Sequence, residues 1–381
     1  MTRIAFIHDH KFYRNDNQDA YSAGKLSVSS FNRYFEHFDK ISIISRFINI
    51  NETSVVLDEL NKVTSENIDF IPFEDQSNLK NRFILRNKYK ALLKEKLKNV
   101  DALVIRVPSE IGFLASEVAL QQGIPFVCEV VACPADAMDG FDSIKAKMYK
   151  KIIVNAMRKS VLNASGAIYV TEHFLQNKYP TNGFQTNASN VEINAIKDPK
   201  KLVDKNEYEI TLTGNLDSHH KGYDVLFKAL DILDKKLNTK LLIHLVGRGT
   251  YFKKECNYQN IVIKYPGVLN KQDLFNLLDR SDLYIQPSNQ EGLPRATIEA
   301  MSRALPCVVS NAGGLPELIN HKHVHDKHSP QELADKIYNI LNSHTDYNQA
   351  SHDNTLNAQK YLTSELKERR SQFYTQLKRL C

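Results

Sequence analysis

Short runs of Val, Ile and Leu recur along the 381-residue chain, each bounded by polar or turn-forming residues. In the first half these are RIAFIHD (3–9), KISIISRF (40–47), DALVIRVP (101–108) and IPFVCEVV (124–131). In the second half they are ITLTGNLD (210–217), KLLIHLVG (240–247), SDLYIQPS (281–288) and PCVVSN (306–311). Continuous apolar character of this length predicts strands buried on both faces. Between them lie segments with helical spacing, such as LSVSSFNRYFEHF (26–38), EIGFLASEVALQQ (110–122) and PRATIEAMSRA (294–304). Strands alternating with helices imply βαβ units and parallel sheets. The stretch HKFYRNDNQDAYSAGK (10–25) reads as an irregular polar loop.

The series runs twice. The first set ends near GAIYVTEHFLQNKYP (166–180), and the polar segment NAIKDPKKLVDKNEYE (194–209) precedes the second. This predicts an N-terminal domain over 1–198 and a C-terminal domain over 199–354, with the boundary near 196–206. Residues 355–381 read as one long helix. A length of 381 residues suits two domains of ordinary size.

Composition narrows the class. The chain is 42% hydrophobic and 25% charged, with a formal charge of +6, too modest for a protein living on duplex nucleic acid. Its five cysteines are odd in number and form no CxxC pair, which fits buried thiols in a reducing compartment. The apolar run at the N-terminus is too short for a signal peptide, and no stretch approaches eighteen apolar residues. A cytoplasmic location is expected, peripheral on the inner face of the membrane.

The densest chemistry lies in EGLPRATIEAM (291–301). Glu291 follows a strand, Pro294 suits the first turn of a helix, and Glu299 falls inside that helix. The N–H groups of such a helix start attract anions, phosphates above all. A second unit follows at once, SRALPCVVSNAGGLPELI (302–319), where Gly313 and Gly314 permit a close backbone approach. Two adjacent strand–loop–helix units then aim N–H groups at one place, as a diphosphate-bearing ligand requires. Read alone, Glu291 is equally a helix-start carboxylate and Glu299 a solvated one.

PSNQEGLPRATIEAMSRALPCVVSNAGGLPELI (287–319) resembles the signature of the GT4 family of retaining glycosyltransferases, whose fold is GT-B. The likeness extends to TGNLDSHHKGYDVLFKAL (213–230) and IHLVGRGT (243–250), covering residues 210–320 well and the first half more weakly. It implies two Rossmann-like doubly wound domains facing across a cleft, with the C-terminal helix crossing back to the first. It implies that Glu291 contacts the transferred sugar of a nucleotide-sugar donor and Glu299 the ribose hydroxyls. The backbone of Gly292 and Leu293 would lie along sugar and diphosphate, Lys221 would neutralise the diphosphate, and Gly267–Val268 would meet the base. Gly24 would face the phosphates from the first domain. Where the family carries a second phosphate cation this chain has Asn215, for which Arg248, His219 or His220 are candidate substitutes. The histidine that often follows the strand at Val131 is also missing, leaving Arg106 and Glu129 as candidate acceptor contacts.

The resemblance implies same-face transfer of a sugar, with a UDP-sugar favoured, to a glycan or polyprenyl-diphosphate-linked acceptor in surface polysaccharide (capsule or exopolysaccharide) biosynthesis. No cofactor is expected, and no Asp-x-Asp metal clamp occurs. The histidines of HKHVHDKHSP (321–330) match no zinc-ligand spacing, and no metal site is expected there. Two basic stretches, 79–98 and 144–160, have the pattern of helices that lie on anionic membranes or, equally, of solvated helices packed on a sheet. Two alternatives remain: a GT-B sugar-nucleotide epimerase, and a non-catalytic partner subunit with a degenerate site.

Overall fold

The computed structural model describes residues 1–17, 19–23, 26–53, 55, 60–73, 86–138 and 143–381. They group into two compact units. The first comprises Met1–Val170, Leu175–Ala188 and Lys367–Cys381, the second Thr171–Phe174 and Ser189–Leu366.

In the first unit, strands β1 (Arg3–Arg14), β2 (Ala20–Ser22), β3 (Lys40–Asn49), β4 (Asn61–Lys62), β5 (Ile68–Phe73), β6 (Ala102–Val107), β7 (Phe126–Val130), β8 (Gly166–Tyr169) and β9 (Phe184–Asn187) form one sheet. Its parallel body runs β5-β3-β1-β6-β7-β8-β9. Around it lie helices α1 (Val28–Phe35), α2 (Arg86–Lys96), α3 (Glu110–Gln122), α4 (Pro134–Ala137), α5 (Ile144–Leu162) and α6 (Phe174–Lys178). Helix α3 has strong local signals at both ends: the Ser109 hydroxyl accepts from Gly112 N–H, and Gly123 ends it in the left-handed region.

The polar loop expected at 10–25 is partly a strand. β1 continues to Arg14, paired with β3 on one side and antiparallel with β2 on the other. The continuation is stitched through an irregularity between Ile7 and Lys11. There the Arg46 guanidinium donates to the Asp9 carbonyl, and the Asp9 carboxylate accepts from Glu110 and Ile111 N–H at the start of α3. Beyond it Phe12 is buried and stacks on Phe47.

The second unit has six parallel strands: β10 (Glu207–Thr213), β11 (Lys240–Val246), β12 (Ile261–Gly267), β13 (Leu283–Gln286), β14 (Cys307–Ser310) and β15 (Val324–His325). Their order is β12-β11-β10-β13-β14-β15. The winding starts at β10, moves outward to β12, then returns to the other side of β10 with β13. The loops after β10 and β13 therefore diverge at a topological switch point, where open α/β sheets bind ligands. The helices are α7 (Tyr223–Leu233), α8 (Lys271–Arg280), α9 (Arg295–Ser302), α10 (Pro330–Leu341) and α11 (His344–Gln359); the last helix, α12 (Thr363–Lys378), starts here and belongs to the first unit from Lys367 on. The core joins Ile210, Leu212, Leu226, Leu230, Ile243 and Ile337, all excluded from water.

The single long helix expected from 355 onward is two helices. α11 ends at Gln359, and the chain turns where Leu362 bridges to Ile193 and the Thr363 N–H and hydroxyl both donate to the Ile193 carbonyl. That local competitor for the backbone is invisible to helical periodicity, because Ile193 lies far away in sequence. Among the described residues no helix is long and apolar enough to cross a membrane.

Candidate active site

At the switch point the loops after β10 and β13 are joined backbone to backbone. Asn289 N–H donates to the His220 carbonyl at 2.8 Å, and the Asn289 amide donates to the His219 carbonyl at 3.0 Å. Gly222 begins α7 with φ +71°, and a Cβ there would stand 1.9 Å from the Pro287 carbonyl oxygen. Only glycine supplies both that dihedral and that approach.

This joint brings Lys221 to Glu291. The Lys221 ammonium lies 2.6 Å from Glu291 Oε1, with both side chains mostly buried. The same oxygen accepts from the Ser288 hydroxyl at 2.8 Å, and the Gln286 amide lies at 3.5 Å. Gln286 is held in turn by the Tyr284 hydroxyl at 2.6 Å and donates to Ser288 at 2.7 Å. Tyr284, Gln286 and Ser288 have no exposure, so a fully buried polar chain fixes one carboxylate oxygen of Glu291. Burial pushes the Tyr284 phenol well above its ordinary value, and the charges of Glu291 and Glu299 add to the rise.

Pro294 caps α9 and Arg295 is its first helical residue, one position later than the sequence reading. No side chain caps this N-terminus. From the other side Gly313 (φ +57°) packs so closely that a Cβ would lie 1.9 Å from the Glu291 carbonyl oxygen, and Gly314 N–H donates to the Gly292 carbonyl at 2.8 Å. Leu293 is buried and Glu299 half-buried on α9.

The remaining candidates of the second unit lie on neighbouring strand ends. Asn215 follows β10 and accepts from Asp217 N–H through its side-chain oxygen. The Arg248 carbonyl accepts from Leu216 N–H at 2.7 Å, so Arg248 flanks the same loop, with its side chain exposed. Asp217 accepts from Thr250 and Tyr251 N–H; these bonds, and more weakly the Arg248 charge, lower its pKa. Gly267 ends β12 with φ +77°, and Val268 beyond it is 73% exposed, unusual for valine. His219 packs edge-on against Tyr251 and Phe252. Gly24 lies outside the described residues.

Arg106 and Glu129 need correcting. Glu129 is 5% exposed, and both its oxygens are occupied: Oε1 accepts from the Tyr34 and Tyr374 hydroxyls, each at 2.6 Å, and Oε2 from Arg106 at 2.7 and 2.8 Å. Burial raises its pKa, but Arg106, Arg33 and the two hydroxyls outweigh burial and bring it down to about 2. A carboxylate so enclosed ties the β7 end to α1 and α12; it does not present itself to an acceptor. Nearby, burial and the Arg106 charge lower His8 to about 3 and His10 to about 4.

The 321–330 histidines are dispersed: His323 sits against Asp346, and the His325 ring bonds the Asp326 carbonyl. Among the described residues no group of three or more His, Cys, Asp or Glu is placed to hold a metal. Gln286 and Ser288 escaped the sequence reading. Their signal was there, in polar side chains at every second position leaving an apolar strand toward Glu291.

The profile of the family described as glycosyl transferases group 1 matches residues 194–357. Protein CapJ of Staphylococcus aureus is 31% identical over 368 residues, covering 95% of this chain and 91% of CapJ. The chain belongs to the group 1 glycosyl transferases. A further relative of this transferase is the UDP-Gal:alpha-D-GlcNAc-diphosphoundecaprenol alpha-1,3-galactosyltransferase of Escherichia coli, 31% identical over 114 residues, 29% of this chain and 30% of that one. The transferase also shares the GT-B fold of sucrose-phosphate synthase from Thermosynechococcus elongatus, with a TM-score of 0.66 and 14% identity over 99% of both chains. Anabaena HepE in complex with UDP superposes with a TM-score of 0.63 at 13% identity, over 99% of this chain and 100% of HepE.

Proposed function

We propose that this enzyme transfers a sugar from a nucleotide-sugar, a UDP-sugar by preference, to a lipid-linked glycan with retention of anomeric configuration. The carrying observation is the Lys221–Glu291 pair at the switch point, beside the uncapped start of α9. In this reading Lys221 and the α9 N–H groups meet the charge that develops on the leaving diphosphate. Glu291, held by Ser288 and Gln286, orients the sugar hydroxyls, and Glu299 accepts from the ribose. The backbone at Gly292 and Leu293 lines the sugar and diphosphate, Gly267–Val268 receives the base, and Asn215 and Arg248 flank the phosphates.

The bond from the anomeric carbon to the diphosphate oxygen breaks, and its electron pair leaves with the diphosphate. The acceptor oxygen bonds that carbon on the same face and passes its proton to the departing phosphate oxygen. No cofactor enters, and the protein's own cations and N–H groups supply the electrostatic stabilisation.

The UDP-sugar is supported by the name of the Escherichia coli relative and by the UDP complex of HepE. The diphosphoundecaprenol acceptor in the name of the former supports a lipid-linked acceptor; the cytoplasmic face of a membrane is the location we assign to the reaction. A pathway making surface polysaccharide, capsule among them, agrees with a further relative named as an amylovoran biosynthesis glycosyltransferase from Erwinia amylovora, 37% identical over 65 residues. A thermal-shift screen of UDP-, GDP- and ADP-sugars tests the donor, since a cognate ligand stabilises the folded state. Full transfer activity in Glu291→Ala would overturn the site.

A further inference from the structure

The two basic stretches meet different fates. In α2 the apolar face is used internally: Tyr89, Leu93 and Leu97 are buried, and Arg86 and Lys90 pair with Glu117. That stretch is an ordinary solvated helix; its residues 79–85 lie outside the described residues. Helix α5 is the reverse. Its buried side chains, Met157, Ser160 and Val161, all lie in its C-terminal half, where the Ser160 hydroxyl meets that of Ser116 at 2.7 Å. The first three turns bury nothing fully, yet they carry Ile144 at 78% exposure, Met148 at 61% and Ile152 at 47%, and Leu162 at the far end is 40% exposed.

Ile144, Met148 and Ile152 form one stripe along the first three turns, within an arc of about 80° at 3.6 residues per turn; further along the same arc stand the exposed Asn155 and Lys159, before Leu162. Lys145 borders the stripe on one side, and Lys147, Lys151 and Arg158 on the other. The helix has six basic residues and no acidic one. It begins in a firm cap, the Ser143 hydroxyl accepting from Ala146 N–H, so the stripe is preformed. Single exposed apolar residues are ordinary; an aligned set with cationic borders is not.

We propose that the exposed face of α5 docks on an anionic lipid bilayer, the apolar stripe entering the acyl boundary and the lysines meeting headgroup phosphates. Charge decides the occupant. A second copy packed symmetrically on this helix would set basic residues against basic residues, because the helix itself carries no acidic side chain, whereas an anionic surface complements Lys145, Lys151 and Arg158. The proposal deepens the lipid-linked acceptor reading above and for its biological sense rests on it, but its geometry does not involve the donor site.

The test is co-sedimentation of the full chain with phosphatidylcholine vesicles, pure or with about one-third phosphatidylglycerol. The wild type should favour the anionic vesicles and be released by high salt. The triple variant Ile144→Ser/Met148→Ser/Ile152→Ser should bind at least about tenfold more weakly at unchanged melting temperature, since these residues are already exposed. Lys145→Gln/Lys151→Gln should lose about fivefold per lysine. Absence of wild-type binding, equal binding to both vesicle types, or wild-type affinity in the triple variant would overturn the proposal. So would a dimer, without vesicles, that the triple variant dissolves. Donor-induced thermal shift, read on the same samples, reports separately on the donor site and should be unaffected by these changes.

Discussion

Replacing Lys221 by methionine separates the two things this lysine does. The ammonium is 2.6 Å from Glu291 Oε1, with side-chain exposures of 25% and 12%. At an effective dielectric near 20, two unit charges at that distance attract by about 6 kcal/mol before desolvation is subtracted. Partial exposure and the cost of removing both ions from water cancel most of it. What remains on truncation is a mostly buried carboxylate that keeps Ser288 but loses its counter-ion. The expected loss of stability is about 1–3 kcal/mol, a fall of roughly 2–12 °C for a unit of this size. The loss of turnover should be larger, about 10²–10³-fold, because a preorganised charge facing the leaving diphosphate is removed. Adding Glu291→Gln removes the orphaned charge. In a double-mutant cycle the stability loss should then largely recover, while transfer stays at or below the level of Lys221→Met. Melting curves and initial rates with saturating donor read the two quantities. If Lys221→Met keeps kcat within threefold of wild type, or if the double variant regains activity together with stability, the lysine serves only as a structural counter-ion.

Gly313→Ala should lower kcat/KM at least about tenfold and cost about 1–3 kcal/mol, because its Cβ would stand 1.9 Å from the Glu291 carbonyl at φ +57°; steady-state kinetics and thermal melts check this. Glu129→Gln should destabilise the first unit by about 3–5 kcal/mol by leaving Arg106 buried without its partner, and Tyr374→Phe by about 1.5–3 kcal/mol, both read by urea unfolding. Acid should loosen the same unit. Burial first, and the charge of Arg106 second, hold His8 near 3 and His10 near 4 in the folded chain against 6.5 ordinarily. Between pH 6.5 and about 4 the unfolded chain therefore binds protons that the folded chain refuses. Their contribution is complete above pH 6.5 and declines as pH falls, by about 2–3 kcal/mol for His8 at pH 4.5. Glu129, lowered from 4.5 to about 2, adds a loss of the same sign below pH 4.5. His8→Gln should flatten the midpoint-against-pH slope from 7 to 4.5; an unchanged slope would show that His8 does not cause it.

The sequence by itself determined the α/β class, the alternation of strands and helices, and the neighbourhood of Glu291, Lys221 and Glu299. These are local matters: a buried parallel strand needs an unbroken apolar run, and a helix entry at a ligand site needs small, N–H-presenting residues in a short window. Tertiary structure decided which side chains at those addresses touch. Lys221 meets Glu291, seventy residues away, because β13 inserts beside β10 and two loops join across glycine. Glu129 and Arg106 look like a strand-end site in one dimension; the fold encloses them with tyrosines from α1 and from α12, 95 and 245 positions away. The polar stretch after Asp9 became strand because β3 offered partners that no local rule could announce. Two basic helices with similar patterns parted in the same way. α2 found a core for its apolar face, whereas α5 left its stripe in water, because burial depends on which neighbour the topology supplies.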